Sequence, residues 1–232
     1  MREKKQVCFL FLFISPFFIF GQKPRKNFES ESLSQQSISD LNREFGKKKR
    51  YPQRYEMQVL LALSYYPELK NTSVSFRIRK RHTPLDTRST WLGLLEPRKK
   101  RQYVITISDS SEPMLTPILF KNLPFSAQVG VIGHELGHVT DFSSMFTSQI
   151  LKHAIRNVSS RYIDRFEFKT DSICIAHGLG YQLLAWSSFV RQKMHRENWD
   201  GADYVHQPME RERYMNPLTI RKKISDNPIY YY

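Results

Sequence analysis

The hydrophobic pattern is clearest between residues 125 and 141, where apolar positions recur with the period of an α-helix. The apolar stripe consists of Phe125, Val129, Ile132, Leu136 and Val139. A stripe of this kind is typical of a helix that packs one face on a hydrophobic core. We therefore predict a core-packed helix over 125–141, with His134 and His138 projecting together from the opposite side.

Weaker patterns predict the other elements and the fold class. They indicate helices over 55–63, 144–155 and 160–185, a last helix that begins at Pro217, strands over 73–79 and 103–107, and a loop around 83–87. Few strands among many helices favour an α+β fold with a small mixed sheet. We expect one domain over 51–232.

Three glycines lie on a third side of the predicted helix over 125–141. Gly130, Gly133 and Gly137 recur at i, i+3 and i+7, although each costs about 1 kcal/mol relative to alanine inside a helix. Such a series indicates that another backbone approaches closely. We expect either an edge strand or the helix over 160–185 to cross there.

The N-terminal segment has the pattern of a secretory signal. Arg2, Lys4 and Lys5 precede an apolar stretch over 7–20, and the small residue Gly21 follows. This pattern predicts a signal peptide over 1–21, and an uncleaved anchor is the alternative. The chain is then exported, to a bacterial periplasm, to the cell surface or into the medium. Residues 22–50, rich in Ser, Glu and Gln and ending in a basic run, are expected to form a flexible linker.

Charge and cysteine content narrow the choice of partners. The chain carries a net charge of +14, with basic runs at 47–50, 77–81 and 98–101. No aromatic residues are interleaved with these runs on a recognisable module, so we expect no specific nucleic-acid binding. The runs are compatible with attraction to an anionic envelope surface or with ordinary solvated charge. Beyond the predicted signal only Cys174 remains, so no internal disulfide is expected.

The candidate chemistry lies in the sequence His134-Glu135-Leu136-Gly137-His138. Histidines four residues apart on a helix are about 5–6 Å apart at Cβ, so both can bind one Zn²⁺ ion. Glu135 follows the first histidine and lies where a carboxylate can accept a proton from water beside the metal. Two core histidines hydrogen-bonded to neighbouring groups are the alternative.

A third metal ligand is expected downstream, since a catalytic zinc usually has three protein ligands and an open position. Glu167 and Asp171 are four residues apart in the predicted helix over 160–185. Glu167 is the preferred third ligand, and Asp171 would accept the other ring N–H of a ligand histidine. Asp171 itself, His177 and Cys174 are the other candidates for the third ligand.

These two motifs, H-E-x-x-H at 134–138 and E-x-x-x-D at 167–171, resemble those of the gluzincin metallopeptidases over roughly residues 100–190. The resemblance implies a zincin-like fold in which a sheet with an edge strand packs on the metal-binding helix, and a second helix carries the third ligand. It implies one Zn²⁺ per chain, bound by His134, His138 and Glu167, with Glu135 as the general base and Asp171 as a supporting partner. In the resembled fold extended substrate pairs with the edge strand, and the strand over 103–107 is placed either for that role or as a plain core strand.

The sequence therefore predicts an exported zinc-dependent endopeptidase that acts on protein or peptide substrates. His206 and Tyr214 are candidates for a group that stabilises the transition state by hydrogen bonding. The alternative function is a non-catalytic envelope binding protein that keeps zinc for stability.

Overall fold

Helices dominate the fold, in line with the long stretches of helical period in the sequence. The computed structural model of the chain describes residues 22–80, 85–89, 96–156, 159–197, 201 and 212–231. The helices are α1 (Gln35–Phe45), α2 (Glu56–Ser64), α3 (Phe125–Ser144), α4 (Thr147–Arg156), α5 (Ser160–Cys174), α6 (Gly180–Met194) and α7 (Pro217–Ser225). The strands are β1 (Lys49–Arg50), β2 (Ser73–Ile78), β3 (Leu85–Ser89) and β4 (Gln102–Ile107). The α+β class is confirmed.

The sheet is small and mixed, as predicted. Its strand order is β1-β2-β4-β3, with β1, β2 and β4 parallel and β3 antiparallel to β4. Val74 and Phe76 of β2 are buried, and they pair in register with Tyr103 and Ile105 of β4, which are buried too. Alternate positions of two adjacent strands therefore contribute to the core.

The edge of the sheet is not where the sequence placed it. The loop predicted around 83–87 is in part the strand β3, which forms one edge and lies against α3. The strand over 103–107 is β4, which has β2 on one side and β3 on the other. Of the two alternatives left open for this strand, the plain core strand is therefore the correct one.

Helix α3 is the centre of the fold, with α2, α5, α6 and β3 packed around it. It is buried on nearly every side rather than on one stripe, because its neighbours cover both the apolar face and the histidine face. Its C-terminal end is held by Arg101, which is 2% exposed. The guanidinium donates to the carbonyl oxygens of Phe142 and Met145 at 3.3 and 2.6 Å and to Thr147 Oγ1 at 3.0 Å.

The segment over 22–50, expected to form a flexible linker, contains the helix α1 and the short strand β1. Helix α1 begins after Ser34, whose side chain accepts a hydrogen bond from the Ser37 amide. Ile38 and Phe45 of α1 are buried, and Phe28 packs edge-on against Tyr65 with ring centroids 6.1 Å apart. These apolar anchors attach the segment to the core.

The helix predicted over 160–185 is two helices joined by a π-helical turn over Ile175–Leu179. The turn contains Gly178 at φ +93°, a conformation that L side chains rarely adopt. Helix α6 then continues to Met194, beyond the predicted end.

Candidate metal centre

Two histidines of α3 and one glutamate of α5 meet in the interior. His134 Nε2 lies 3.1 Å and His138 Nε2 lies 3.2 Å from the same atom, Glu167 Oε2. One ligand atom from each residue lies within 4.8 Å of the others, so this group could hold a metal ion. The predicted set of His134, His138 and Glu167 is thus brought together by the fold.

Hydrogen bonds at the far side of each imidazole determine which nitrogen faces the group. His134 Nδ1 lies 2.8 Å from Asp171 Oδ1. His138 Nδ1 lies 3.2 Å from Thr170 Oγ1, and the Thr170 hydroxyl donates to the Phe166 carbonyl at 3.0 Å. Since Asp171 and Thr170 both act as acceptors, each Nδ1 carries a proton, and Nε2 is the nitrogen of each ring that faces Glu167 and would bind a cation after losing its own proton.

Two of the three distances between ligand atoms, and the donor set, are compatible with a zinc ion. Ligand atoms at roughly 2.0–2.1 Å from a tetrahedral metal are about 3.3 Å apart. The two distances to Glu167 Oε2, 3.1 and 3.2 Å, are close to that value. Two imidazoles and one carboxylate are donors that zinc accepts readily.

The electrostatics of the group also favour a cation. Burial alone would raise the pKa of Glu167, but His138 and His134 hold it well below the usual range of a carboxyl group. Burial alone would lower the pKa of His134, but the hydrogen bonds that its ring donates to Asp171 and Glu167 raise that pKa well above 6.5. The site thus stabilises positive charge between these side chains.

The glycines of α3 explain how α5 and α6 come so close. A Cβ atom on Gly130 would lie 2.2 Å from the backbone oxygen of Gln182 in α6. A Cβ on Gly133 would lie 2.5 Å from Leu179 Cδ1, and one on Gly137 would lie 3.1 Å from Thr170 Cγ2. The expectation that another backbone crosses this side of α3 is confirmed, and the crossing element is the helix that carries Glu167 together with its continuation.

Asp171 joins the candidate site to the C-terminal part of the chain. Its Oδ1 atom faces His134, while its Oδ2 atom accepts a hydrogen bond from the Met215 amide at 2.7 Å. Seven residues earlier in α5, Asp164 forms a buried ion pair with Arg213 at 2.9 Å. Two carboxylates of α5 therefore fix the residues on either side of Tyr214.

Tyr214 lies beside the candidate site as a result. Its ring centroid is 5.7 Å from that of His134, and it packs edge-on against Trp186 at 5.8 Å. Burial, followed by the charges of Glu167 and Glu135, raises the pKa of Tyr214 well above 10. Its hydroxyl therefore remains a hydrogen-bond donor at neutral pH. His206, the other proposed stabiliser, lies outside the described residues, as do the predicted signal residues 1–21.

Glu135 is buried next to the three ligand candidates but is not one of them. Its Oε2 atom accepts a hydrogen bond from the Thr87 hydroxyl of β3 at 2.5 Å. Burial raises the pKa of Glu135 above 4.5, although His138, His134 and the Thr87 hydrogen bond oppose that shift. A carboxylate with a raised pKa beside a candidate metal-binding group is suited to accept and release a proton.

The other candidates for the third ligand are engaged elsewhere. Both oxygens of Asp171 have the partners given above. Cys174 is buried and lies 3.9 Å from the Gly130 carbonyl. His177 bonds through Nε2 to Glu68 at 3.1 Å and through Nδ1 to the Ile173 carbonyl at 2.8 Å.

Two residues of this region were missed by the sequence analysis. Thr170 orients His138, and its position one turn before Cys174 gave no periodic signal that distinguishes it from other polar residues of α5. Thr87 bonds Glu135 from β3, a segment predicted to be a loop. Only the spatial neighbourhood identifies either residue.

Comparisons with known proteins assign no family. No protein-family model matches the chain, and searches of curated proteins and of solved structures find no match.

Proposed function

We propose that this chain is a zinc-dependent peptidase of the gluzincin type, with a zincin-like arrangement around α3. One observation carries the proposal: the Nε2 atoms of His134 and His138 converge on Glu167 while the carboxylate of Glu135 lies beside them with no role as a ligand. A site that only stabilised the fold would have no use for that carboxylate.

A three-ligand group supports catalysis rather than structure. Structural zinc sites are usually closed by four protein ligands, whereas catalytic sites keep one position open. Within the described part of the chain, the group consists of His134, His138 and Glu167. This count argues against the alternative, a non-catalytic envelope protein stabilised by zinc.

A bound zinc ion would supply Lewis acidity that polarises a scissile carbonyl group and lowers the pKa of water. Glu135 would accept a proton from the attacking water and deliver it to the leaving amine. Thr87 holds one carboxylate oxygen of Glu135 and so fixes the orientation of the other. The Tyr214 hydroxyl is a donor that could support the developing oxyanion, a role worth roughly 2.7–4 kcal/mol in comparable sites.

The substrate class in this proposal is a protein or peptide in extended conformation. Strand β3 is the last strand in the sheet order and carries Thr87 next to Glu135. Main-chain pairing with such an edge gives affinity with little dependence on sequence. Because residues 1–21 have the pattern of a signal, we propose that the enzyme acts after export.

The decisive experiment measures metal content and peptide hydrolysis in the same preparations. We expect about one zinc per chain, lost in His138→Ala and in Glu167→Ala. Glu135→Gln should retain zinc but hydrolyse a fluorogenic peptide mixture at least about 100-fold more slowly. Glu68→Gln, which alters a glutamate bonded to His177 instead, serves as the matched control and should retain both properties.

Two results would contradict the proposal. Activity of Glu135→Gln close to that of the unaltered chain would exclude Glu135 as the base. Absence of zinc from well-folded protein after zinc has been supplied would exclude the metal centre itself.

A further inference from the structure

Helix α4 has large apolar side chains on its outer face, where a soluble helix normally has polar ones. Ile150 and His153 form the inner face and are buried. Leu151 and Ile155, four residues apart on the outer face, are 54% and 75% exposed, and Phe146 just before the helix is 62% exposed. Single exposed apolar residues scattered over a surface are normal, whereas three of them grouped along one short segment indicate an interaction site.

The same surface is basic, and the acidic residue nearest to it in sequence, Asp164, is buried and paired with Arg213. Lys152 and Arg156 of α4 and Arg161 and Arg165 of α5 are exposed. No Asp or Glu occurs between residues 142 and 163. Among the described residues, no carboxylate forms an ion pair with any of these four cations. Their charge is thus available to an anionic partner.

A solvent-open cavity lies between α4 and the start of α5. It has a volume of about 610 Å³ and is lined by Ile155, Arg156, Ser159, Tyr162 and Arg165. Two guanidinium groups and two hydroxyl-bearing side chains beside an aliphatic one are the donors that bind a phosphate ester at an apolar boundary. Arg161 and Arg165 also line a neighbouring cavity of about 630 Å³, where Asp164 and Glu212 are the acidic residues.

We propose that this surface, consisting of α4, Phe146 and the cavity at the start of α5, docks on a bilayer that contains anionic phospholipid. Phe146, Leu151 and Ile155 insert among the acyl chains, and the four cations contact headgroup phosphates. Protruding apolar side chains interspersed with Lys and Arg are the pattern of an interfacial helix. An acidic protein partner would satisfy the charges but would leave the separate apolar side chains without a groove.

Docking would also orient the candidate metal centre. His153, on the inner face of α4, packs against Phe166 with ring centroids 4.2 Å apart, and Phe166 stacks on His138 at 4.9 Å. Two successive aromatic contacts, from His153 to Phe166 and from Phe166 to His138, thus connect the docking surface to the candidate metal centre. The docking proposal itself does not depend on catalysis, and Glu135→Gln protein is suitable for testing it.

The first test is co-sedimentation of the full chain with vesicles of phosphatidylcholine, with and without phosphatidylglycerol. We expect binding only with phosphatidylglycerol and weakening by salt. Each basic residue near a charged membrane contributes about fivefold, so Lys152→Gln with Arg156→Gln should weaken binding about 25-fold. Leu151→Gln with Ile155→Gln should weaken it about tenfold or more. Leu218→Gln, which removes a leucine that is 74% exposed on α7, is the matched control and should have no effect.

A second measurement distinguishes this surface from any attachment through residues 1–21. In a Cys8→Ser background, a polarity-sensitive fluorophore at Ile155→Cys should be quenched by brominated phospholipid, whereas one at Ser225→Cys on α7 should not. Equal quenching at both positions, equal binding to neutral vesicles, or unchanged binding by the two double variants would overturn the proposal. So would a self-association that the Leu151 and Ile155 changes abolish in the absence of vesicle binding, because a second copy would then be the partner.

Discussion

Replacing Gly130 by alanine tests the close approach of α6 to α3, and its cost can be worked from the structure. The added Cβ would lie 2.2 Å from Gln182 O and 2.3 Å from Gln182 C, whereas an ordinary contact begins at 3.4 Å. Both atoms belong to the backbone, so rotation of a side chain cannot relieve the overlap. The two helices would have to separate by about 1.2 Å at this point.

Two opposing contributions determine how much Gly130→Ala changes the free energy of unfolding. Alanine gains about 1 kcal/mol over glycine within a helix. Overpacking of a rigid core costs typically about 1–3 kcal/mol and sometimes more, and a backbone-to-backbone clash belongs at the upper end. We expect Gly130→Ala to lose about 2–3 kcal/mol of unfolding free energy, which corresponds to roughly 5–10 °C in Tm for a domain of this size.

Gly137→Ala is the matched control on the same face of α3. Its Cβ would meet Thr170 Cγ2 at 3.1 Å and Thr170 O at 3.3 Å, so shifts of a few tenths of an ångström suffice. The higher helix propensity of alanine should offset the cost of these shifts, so the free energy of unfolding should stay within about 1 kcal/mol of that of the unaltered chain.

Urea unfolding followed by circular dichroism, in the presence of a chelator, measures both variants without a contribution from bound metal. If Gly130→Ala proves as stable as Gly137→Ala, the close packing of α6 on α3 is refuted.

Three further predictions concern other contacts. Arg101→Met should lower the unfolding free energy by about 2–3 kcal/mol in urea melts, because carbonyl groups at the end of α3 lose a buried cationic donor; an unchanged midpoint would contradict this. Thr170→Val should weaken zinc binding about 10–100-fold in chelator competition, since His138 loses the acceptor for its Nδ1–H, and Thr170→Ser should restore it. For the pair of Glu68 and His177, hydrogen bonding and charge raise the pKa of His177 despite its burial and lower that of Glu68. Stabilisation through His177 is lost as pH rises through its raised pKa, and stabilisation through Glu68 is lost as pH falls through its lowered pKa. The destabilisation by Glu68→Gln should therefore be greatest, about 0.5–1 kcal/mol after allowance for solvent exposure, between roughly pH 4.5 and 6.5, and smaller at pH 9. A destabilisation by Glu68→Gln that is as large at about pH 9 as between roughly pH 4.5 and 6.5 would argue against the ion pair.

Local patterns predicted the elements with strong periodicity. The helix over 125–141 is α3, and the strand over 73–79 is β2. The E-x-x-x-D spacing brought Glu167 and Asp171 to the histidines because residues four apart share a helical face. These predictions succeed because each depends on neighbours within one element.

The errors have a common physical origin in contacts between distant parts of the chain. Strand β3 has no alternation of apolar residues, and it forms because its backbone pairs with β4. In α1 the helical spacing of Ile38, Leu41 and Phe45 lies within a segment of otherwise polar composition, which on its own is typical of a linker. The roles of Thr87 and Thr170 depend on which side chains the fold brings beside them.

The π-helical turn between α5 and α6 reconciles two unequal spacings along α3. The glycines that receive Thr170 and Gln182 are seven residues apart, about 10.5 Å along a helix axis, whereas Thr170 and Gln182 are twelve residues apart, about 18 Å. A straight helix could not meet both glycines, and the bend at Gly178 takes up the excess length. Helix α5, which carries Glu167, and helix α6, which packs on Gly130, are therefore two segments whose positions along α3 can change independently. Changes in the length or composition of the turn should shift Gln182 relative to Gly130 while Glu167 stays in place.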